Sequence, residues 1–174
     1  INGFKTDRVI EQKIYRQAQV RLDGSIVDTV RILRQHKGGQ SQYSWYNKVN
    51  ADYLRVYVPK GSRLIAADGQ TREAYQAPVD YQALNFKQDA DVAAQEQNMV
   101  IDQGSGTQIF EEAGKTVFGN WVYTSPGETV EITYQYILPF KINLRADSDS
   151  YSLLAQKQAG SLNSAFESVL RLPE

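Results

Sequence analysis

The chain has 174 residues, the size of one large domain or two small ones, so it can bury a substantial hydrophobic core. Its 19 basic and 20 acidic side chains leave a net charge of −1, which argues against a dedicated binder of nucleic acid or of anionic membranes. It has no cysteine and one histidine, which excludes disulfides, thiolate-bound metals and sites that need two imidazoles from one chain. We therefore expect no cofactor.

The first predicted element is a β-hairpin over residues 14–34. Apolar and polar residues alternate towards Leu22 and again between Ser25 and Arg34. Asp23-Gly24 between them is a strong hairpin signal, because a type I′ turn needs positive φ at both central residues. Near the start of the segment, apolar residues lie four apart, so a helix over its first residues is an alternative.

Short strands separated by glycine and proline turns continue along the chain. They are predicted at residues 53–58, 63–67, 116–124, 129–138, 151–158 and 165–172. In the first of them, Tyr53, Arg55 and Tyr57 share the face opposite the apolar residues, as a cation–π ladder or as a strip that meets a neighbouring domain. Many short strands and little helix indicate a mostly β fold, an antiparallel Ig-like β-sandwich.

Residues 70–114 differ from the rest of the chain because they are polar and show little two-residue alternation. We expect one long insertion with a short helix at about residues 90–98, for which Asp89 is a candidate N-cap. The whole of 1–174 is then a single sandwich domain. The chain begins at Ile1 without an initiator methionine and has no run as long as a membrane span, so we expect a fragment of a longer protein.

Five aromatic residues are the candidate ligand-binding set. Tyr43, Trp45 and Tyr46 stand in a polar loop, and Trp121 and Tyr123 stand on a later predicted strand. Flat rings beside Gln and Asn are typical of a sugar-binding surface, where rings stack and amides donate hydrogen bonds. The alternative is that Trp121 is core and Trp45 caps one end of the sandwich, which the usual burial of large aromatic side chains favours.

Catalytic and metal sites have weaker signals. His36 has no indicated nucleophile or orienting acid, so we expect a solvated loop histidine. Asp147 and Asp149 can offer oxygen ligands to calcium, but the segment lacks the glycine and distal glutamate of an EF-hand, and a simple turn is favoured. Twenty acidic residues guarantee chance carboxylate pairs, so a hydrolase is the least favoured interpretation.

Three segments together resemble the C-terminal region of a bacterial family known as a domain of unknown function. They are NADYLRVYVPKGS at 50–62, the stretch 117–139 with VFGNW, SPGE and YQYILP, and YSLLAQKQAG at 151–160. The family comprises large, membrane-anchored proteins of the cell surface, and the similarity covers roughly residues 10–172. The resemblance implies an exported, Ig-like terminal module and no particular reaction.

Together these observations predict a non-catalytic structural or recognition module of a bacterial envelope protein, and not an enzyme. We expect an extracellular or cell-surface location, with a membrane anchor outside this fragment. The expected partners are cell-envelope glycan or neighbouring domains of the same protein, with no nucleic acid and no direct membrane contact. A carbohydrate-binding module that uses the exposed Tyr and Trp is the first alternative, and an envelope hydrolase or calcium-dependent domain is the second.

Overall fold

The computed structural model describes residues 5–72, 79–145, 148–156 and 164–173. Half of the described residues are in strands: β1 Ile10–Val20, β2 Ser25–His36, β3 Asn50–Pro59, β4 Arg63–Asp68, β5 Val100–Ile101, β6 Gln108–Glu112, β7 Lys115–Thr124, β8 Thr129–Lys141 and β9 Ser164–Arg171. Two short 3-10 helices cover Thr6–Val9 and Ser44–Asn47, and helix α1 covers Ala90–Gln97.

The strands form two sheets, with the orders β4-β8-β2-β1-β9 and β3-β7-β6-β5. The mostly β, two-sheet sandwich expected from the sequence is confirmed. One ladder departs from antiparallel pairing, because β9 runs parallel to β1 and places Tyr15 beside Glu167. Strand direction depends on the path of the connection before β9, and a local alternation pattern carries no information about it.

The core lies between the sheets and follows the two-residue period of the strands. In β8, Ile132, Tyr134, Tyr136 and Leu138 are buried, and each residue between them is more accessible. Strands β2 and β7 contribute further core residues: Ile26, Val30, Ile32, Phe118 and Val122. Each fully buried aliphatic or aromatic side chain of this size stabilises the fold by about 1.5–3 kcal/mol, so this alternation is the main reason why the strands pack as two layers.

The predicted hairpin is confirmed, with Ile14 of β1 opposite Ile32 of β2. The predicted type I′ turn is wrong, because only Gly24 of the two central residues has a positive φ, at 78°. The Gly24 N–H donates to the Arg21 carbonyl at 2.9 Å, which closes a type I turn with a left-handed glycine after it. Strand β1 is extended from Ile10, because backbone pairing with β2 begins there, and the helical opening is not adopted.

The segment 70–114 contains the expected helix, and the cap is confirmed: Asp89 Oδ1 accepts from the backbone N–H groups of Asp91 and Val92 at 2.9 and 3.1 Å. The same segment also supplies β5 and β6 to the second sheet, where no strand was predicted. In β6 only Phe110 is buried, so its alternation is too brief to stand out in the sequence.

The strand predicted at residues 151–158 is not formed over 151–156, the part of it that the structure describes. Tyr151 instead packs against the core and contacts the Arg16 guanidinium with its hydroxyl. Arg16 Nη2 also lies 2.6 Å from Asp28 Oδ2 inside the sandwich, where burial raises the pKa of Asp28. Contact with this buried ion pair takes the place of strand pairing for Tyr151.

Candidate recognition surface

The loop between β2 and β3, residues 37–49, presents Tyr43, Trp45 and Tyr46, and is called the aromatic loop below. Tyr43 and Trp45 stack with their ring centroids 4.9 Å apart and their planes at 24°. Tyr46 meets both rings edge-on at 6.0 Å. Tyr43 and Trp45 are each 45% exposed, so the pair forms an outward-facing aromatic platform.

The side chain of Asn47 closes the aromatic loop. Its Oδ1 accepts from the backbone N–H groups of Gly39 and Ser41 at 2.8 and 3.0 Å, and its Nδ2 donates to the Ser41 carbonyl at 2.7 Å. The Ser41 hydroxyl in turn accepts from the Tyr43 N–H at 3.2 Å. These bonds hold a backbone that has no strand ladder of its own, so the aromatic platform is preorganised.

His36 fixes the base of the aromatic loop, and the expectation of a solvated loop histidine is wrong. It is the last residue of β2, which is two residues longer than predicted, and it is only 1% exposed. Its Nδ1 accepts from the Gly38 N–H at 3.0 Å, so Nε2 carries the proton and donates to the Lys48 carbonyl at 2.9 Å. Both ring nitrogens therefore hold the two ends of the loop.

A buried polar network lies beside His36, where β2 and β3 meet the aromatic loop. Arg34, 4% exposed, donates to Asn50 Oδ1 at 2.8 Å and lies 3.0 Å from Asp52 Oδ2. Asn50 Nδ2 donates to Thr6 Oγ1 at 3.0 Å, which adds the first 3-10 helix. Burial raises the pKa of Asp52 against the opposing effect of the Arg34 charge. The network ties both sheets together below the loop.

The other two candidate residues lie elsewhere, on the outer face of the second sheet. Trp121 contacts Tyr53 of β3 at 5.3 Å between centroids and Tyr123 at 6.1 Å. Both candidates are half-buried, and they point away from the core residue Val122 between them. Trp121 is therefore neither a core residue nor part of the aromatic loop. We call Tyr53, Arg55, Tyr57, Trp121 and Tyr123 the sheet-face cluster.

The polar groups of the sheet-face cluster bond within the sheet. Arg55 lies over the ring of Tyr53 at 5.6 Å, a cation–π contact within β3 rather than between strands, and its Nη1 lies 3.0 Å from Glu112 Oε2. The Tyr57 hydroxyl donates to the same carboxylate at 2.5 Å, and the Tyr53 hydroxyl donates to Gln108 Oε1. Burial raises the pKa of both phenols.

Sequence reasoning missed three members of this face, because β6 was not predicted: Gln108, Phe110 and Glu112. Their two-residue spacing before a Gly turn was the available signal. Strand β6 lies beside β7, and Arg55 of β3 reaches across β7 to Glu112, so the outer face is a continuous polar and aromatic surface. Its side chains are largely paired with one another.

Of the two candidate calcium ligands, the structure describes only one. Asp147 lies outside the described residues, while Asp149 Oδ2 accepts from the Asn143 N–H and Oδ1 from the Ser150 N–H, both at 2.8 Å. These two donors lower the pKa of Asp149. Over residues 5–72, 79–145, 148–156 and 164–173, no three acidic or histidine side chains converge to hold a metal ion. Calcium binding by Asp147 and Asp149 therefore stays an untested alternative to the favoured simple turn.

Comparisons with known proteins add little. A scan against family models finds no match, and a search of curated proteins finds none either. Among solved structures, the chain is similar to an M1 zinc metallopeptidase from Deinococcus radiodurans at a TM-score of 0.37 and 12% identity, over 95% of this chain and 33% of that one. A similarity this low carries no functional argument. In the described part of the chain, no helix is long and apolar enough to cross a membrane.

Proposed function

We propose that this domain is a non-catalytic recognition module whose contact surface is the aromatic loop. The observation that carries the proposal is the stacked, 45% exposed pair of Tyr43 and Trp45 on a loop held by Asn47 and His36. Rigid aromatic side chains offer large contact areas and lose little conformational entropy on binding, which is why they dominate interaction hot spots. Because the loop is already fixed, binding does not require further loss of backbone conformational entropy.

The arrangement of the polar groups supports a binding role over a catalytic one. The imidazole of His36, the single histidine, is buried and bonded through both nitrogens to backbone groups. The carboxylate of Asp28 is bonded to Arg16 inside the sandwich, and that of Glu112 to Arg55 and Tyr57. These three groups are thus engaged in structural contacts.

The proposed setting is the surface of a bacterial cell, as the C-terminal module of a membrane-anchored envelope protein. The resemblance of the three segments at 50–62, 117–139 and 151–160 to such a family supports it. In that setting the aromatic loop has two kinds of partner within reach, cell-envelope glycan and neighbouring domains of the same protein.

Carbohydrate binding is the more specific candidate, and the near-coplanar stack favours it. A sugar ring can stack on the outer face of Trp45 or Tyr43. Within the same loop, the exposed side chains of Gln40 and Gln42 offer amide hydrogen-bond donors and acceptors. The sheet-face cluster is less suited, because its hydroxyl and guanidinium groups already bond to Gln108 and Glu112.

The test is binding of the purified chain to arrayed bacterial envelope glycans, with affinities from biolayer interferometry. We expect Trp45→Ala and Tyr43→Ala to weaken binding by about tenfold or more, as for hot-spot aromatic residues. Trp121→Ala, which removes the same type of side chain from the sheet-face cluster, is the matched control and should retain the affinity. Retained binding in Trp45→Ala together with loss in Trp121→Ala would move the site to the sheet face.

A further inference from the structure

Strand β9 is an exposed edge of the five-stranded sheet. It pairs with β1 on one side, and among the residues that the structure describes no strand lies on its other side. All residues from Ala165 to Arg171 are exposed, in contrast to the mostly buried strands β2 and β7. An edge strand with accessible backbone N–H and C=O groups is a template for pairing with another chain.

Apolar side chains on β9 are unusually accessible for a strand in a sandwich. Phe166, Val169 and Leu170 are 47%, 42% and 43% exposed, and Leu172, just beyond the strand, is 65% exposed. Phe166 and Leu170 belong to the same face as Ile14 and Ala18, their partners on β1. The apolar surface therefore continues from the core side of β1 onto the free edge.

The order of residues along β9 is self-complementary. When two copies pair antiparallel about a two-fold axis at Val169, Glu167 of each copy lies opposite Arg171 of the other on the outer face. On the inner face, Phe166 lies opposite Leu172. Cross-strand pairs of opposite charge and of apolar residues both stabilise a ladder.

A second copy is needed for this charge pairing. Glu167 and Arg171 are four residues apart on one strand, or about 13 Å, so they do not pair within a chain. They line a shallow outer groove of about 320 Å³ with Tyr15 and Arg31. With the axis at Ser168, Glu167 would lie opposite Val169, and with the axis at Leu170, Arg171 would lie opposite Val169. The two charge pairs therefore select the register with the axis at Val169.

We propose that two copies of this chain associate through antiparallel pairing of their β9 strands, which joins two five-stranded sheets into one. The other edges are less suited: β5 has two residues, β4 has six with a bulge between Leu64 and Ala66, and β3 has no acid–base pair related by a central residue. This association is independent of the aromatic loop, which lies between β2 and β3.

The charge pairs provide a direct test by sedimentation equilibrium over a wide range of chain concentrations. We expect a monomer–dimer equilibrium for the wild type, weakened by about tenfold in Glu167→Arg and in Arg171→Glu, since each creates two like-charge contacts. The double variant Glu167→Arg with Arg171→Glu restores opposite charges and should recover the dimer. Glu131→Arg, the same charge change at an exposed residue of β8, is the control and should leave the equilibrium unchanged.

A cross-link tests the register. Because the chain has no cysteine, Val169→Cys introduces a single thiol at the axis, where the two Cβ atoms are about 4.5–5.5 Å apart. Mild oxidation should convert Val169→Cys into a disulfide-linked dimer. Ala165→Cys, on the same face but distant from the axis, should form almost no disulfide-linked dimer while it still associates non-covalently. A monomeric wild type at all concentrations, or a dimer that neither charge variant weakens, overturns the proposal. Trp45→Ala should dimerise normally, which separates this result from the outcome for glycan binding.

Discussion

The aromatic loop and the sheet-face cluster contain the same kinds of side chain, but the two sets differ in exposure and in hydrogen bonding. On the sheet face, the strand ladder positions Tyr53 against Trp121, and the hydroxyl and guanidinium groups bond to β6. In the loop, Asn47 and His36 hold the backbone, and the rings of Tyr43 and Trp45 face solvent. Aromatic side chains on the sheet thus stabilise the fold, whereas those on the loop are available to a partner.

The largest expected effect is on the sheet face, at Gly119. A Cβ there would lie 2.2 Å from the Tyr53 hydroxyl oxygen and 2.8 Å from Cζ, because Tyr53 crosses the glycine to reach Gln108. We expect Gly119→Val to lower the free energy of unfolding by about 2 kcal/mol, a typical cost of overpacking. Urea denaturation measures it. Glycan affinity should not change.

The matched control for Gly119→Val is the same change combined with Tyr53→Ala. Removing the ring leaves room for the new side chain, so the double variant should lose less stability than the sum of the two single variants. Additive losses would show that Tyr53 is not the obstacle.

The second prediction concerns Asn47. We expect Asn47→Ala to lower the free energy of unfolding by only about 1 kcal/mol, because its three hydrogen bonds lie in a solvent-accessible loop. The stack of Tyr43 on Trp45 should loosen, with a loss of near-UV circular dichroism measured in a Trp121→Phe background. Asn47→Asp keeps the Oδ1 acceptor and should retain part of the signal. An unchanged spectrum in Asn47→Ala would mean that the rings hold the loop by themselves.

The smallest expected effect is a pH dependence of the sheet face. Burial raises the pKa of Tyr53 above its ordinary value of about 10, so the folded protein keeps this proton at a pH where the unfolded chain has lost it. The contribution of Tyr53 to stability is therefore complete below about pH 10 and declines as the pH rises through the folded pKa. We expect the free energy of unfolding to fall less steeply above pH 10 in Tyr53→Phe than in the wild type.

The residual slope in that experiment has a separate origin. Burial in the core also raises the pKa of Tyr134 and of Tyr136. Tyr134→Phe should therefore reduce the alkaline loss of stability as well, and more strongly. If Tyr53→Phe and the wild type have parallel profiles, the Tyr53 hydroxyl is solvated in the folded state.

Local sequence patterns were sufficient for much of the fold. The alternation in β1, β3 and β8 reflects burial of one side of each strand, and Asp89 caps α1 through a contact with its own neighbours. The loop position of Tyr43, Trp45 and Tyr46 was equally visible, because polar and glycine residues surround them. These features depend on residues that are close in the chain.

Long-range contacts explain what could not be predicted. Strand β6 has one buried residue and is a strand because β7 lies beside it, and residues 151–156 leave the strand pattern because Tyr151 meets a buried Arg16. His36 is buried because two backbone segments of the loop converge on its ring. Each outcome is decided by a partner distant in sequence or by the path of the chain.

Balanced charge, the absence of cysteine and a single histidine restrict the chemistry of the domain, and the two-residue period of the strands determines its mostly β class. Neither could divide the candidate aromatic residues into the exposed Tyr43–Trp45 platform and the half-buried Trp121–Tyr123 pair. That division follows from packing. An aromatic ring on a strand is covered by contacts from the neighbouring strand, whereas a ring on the hydrogen-bonded loop has no such neighbour and stays accessible.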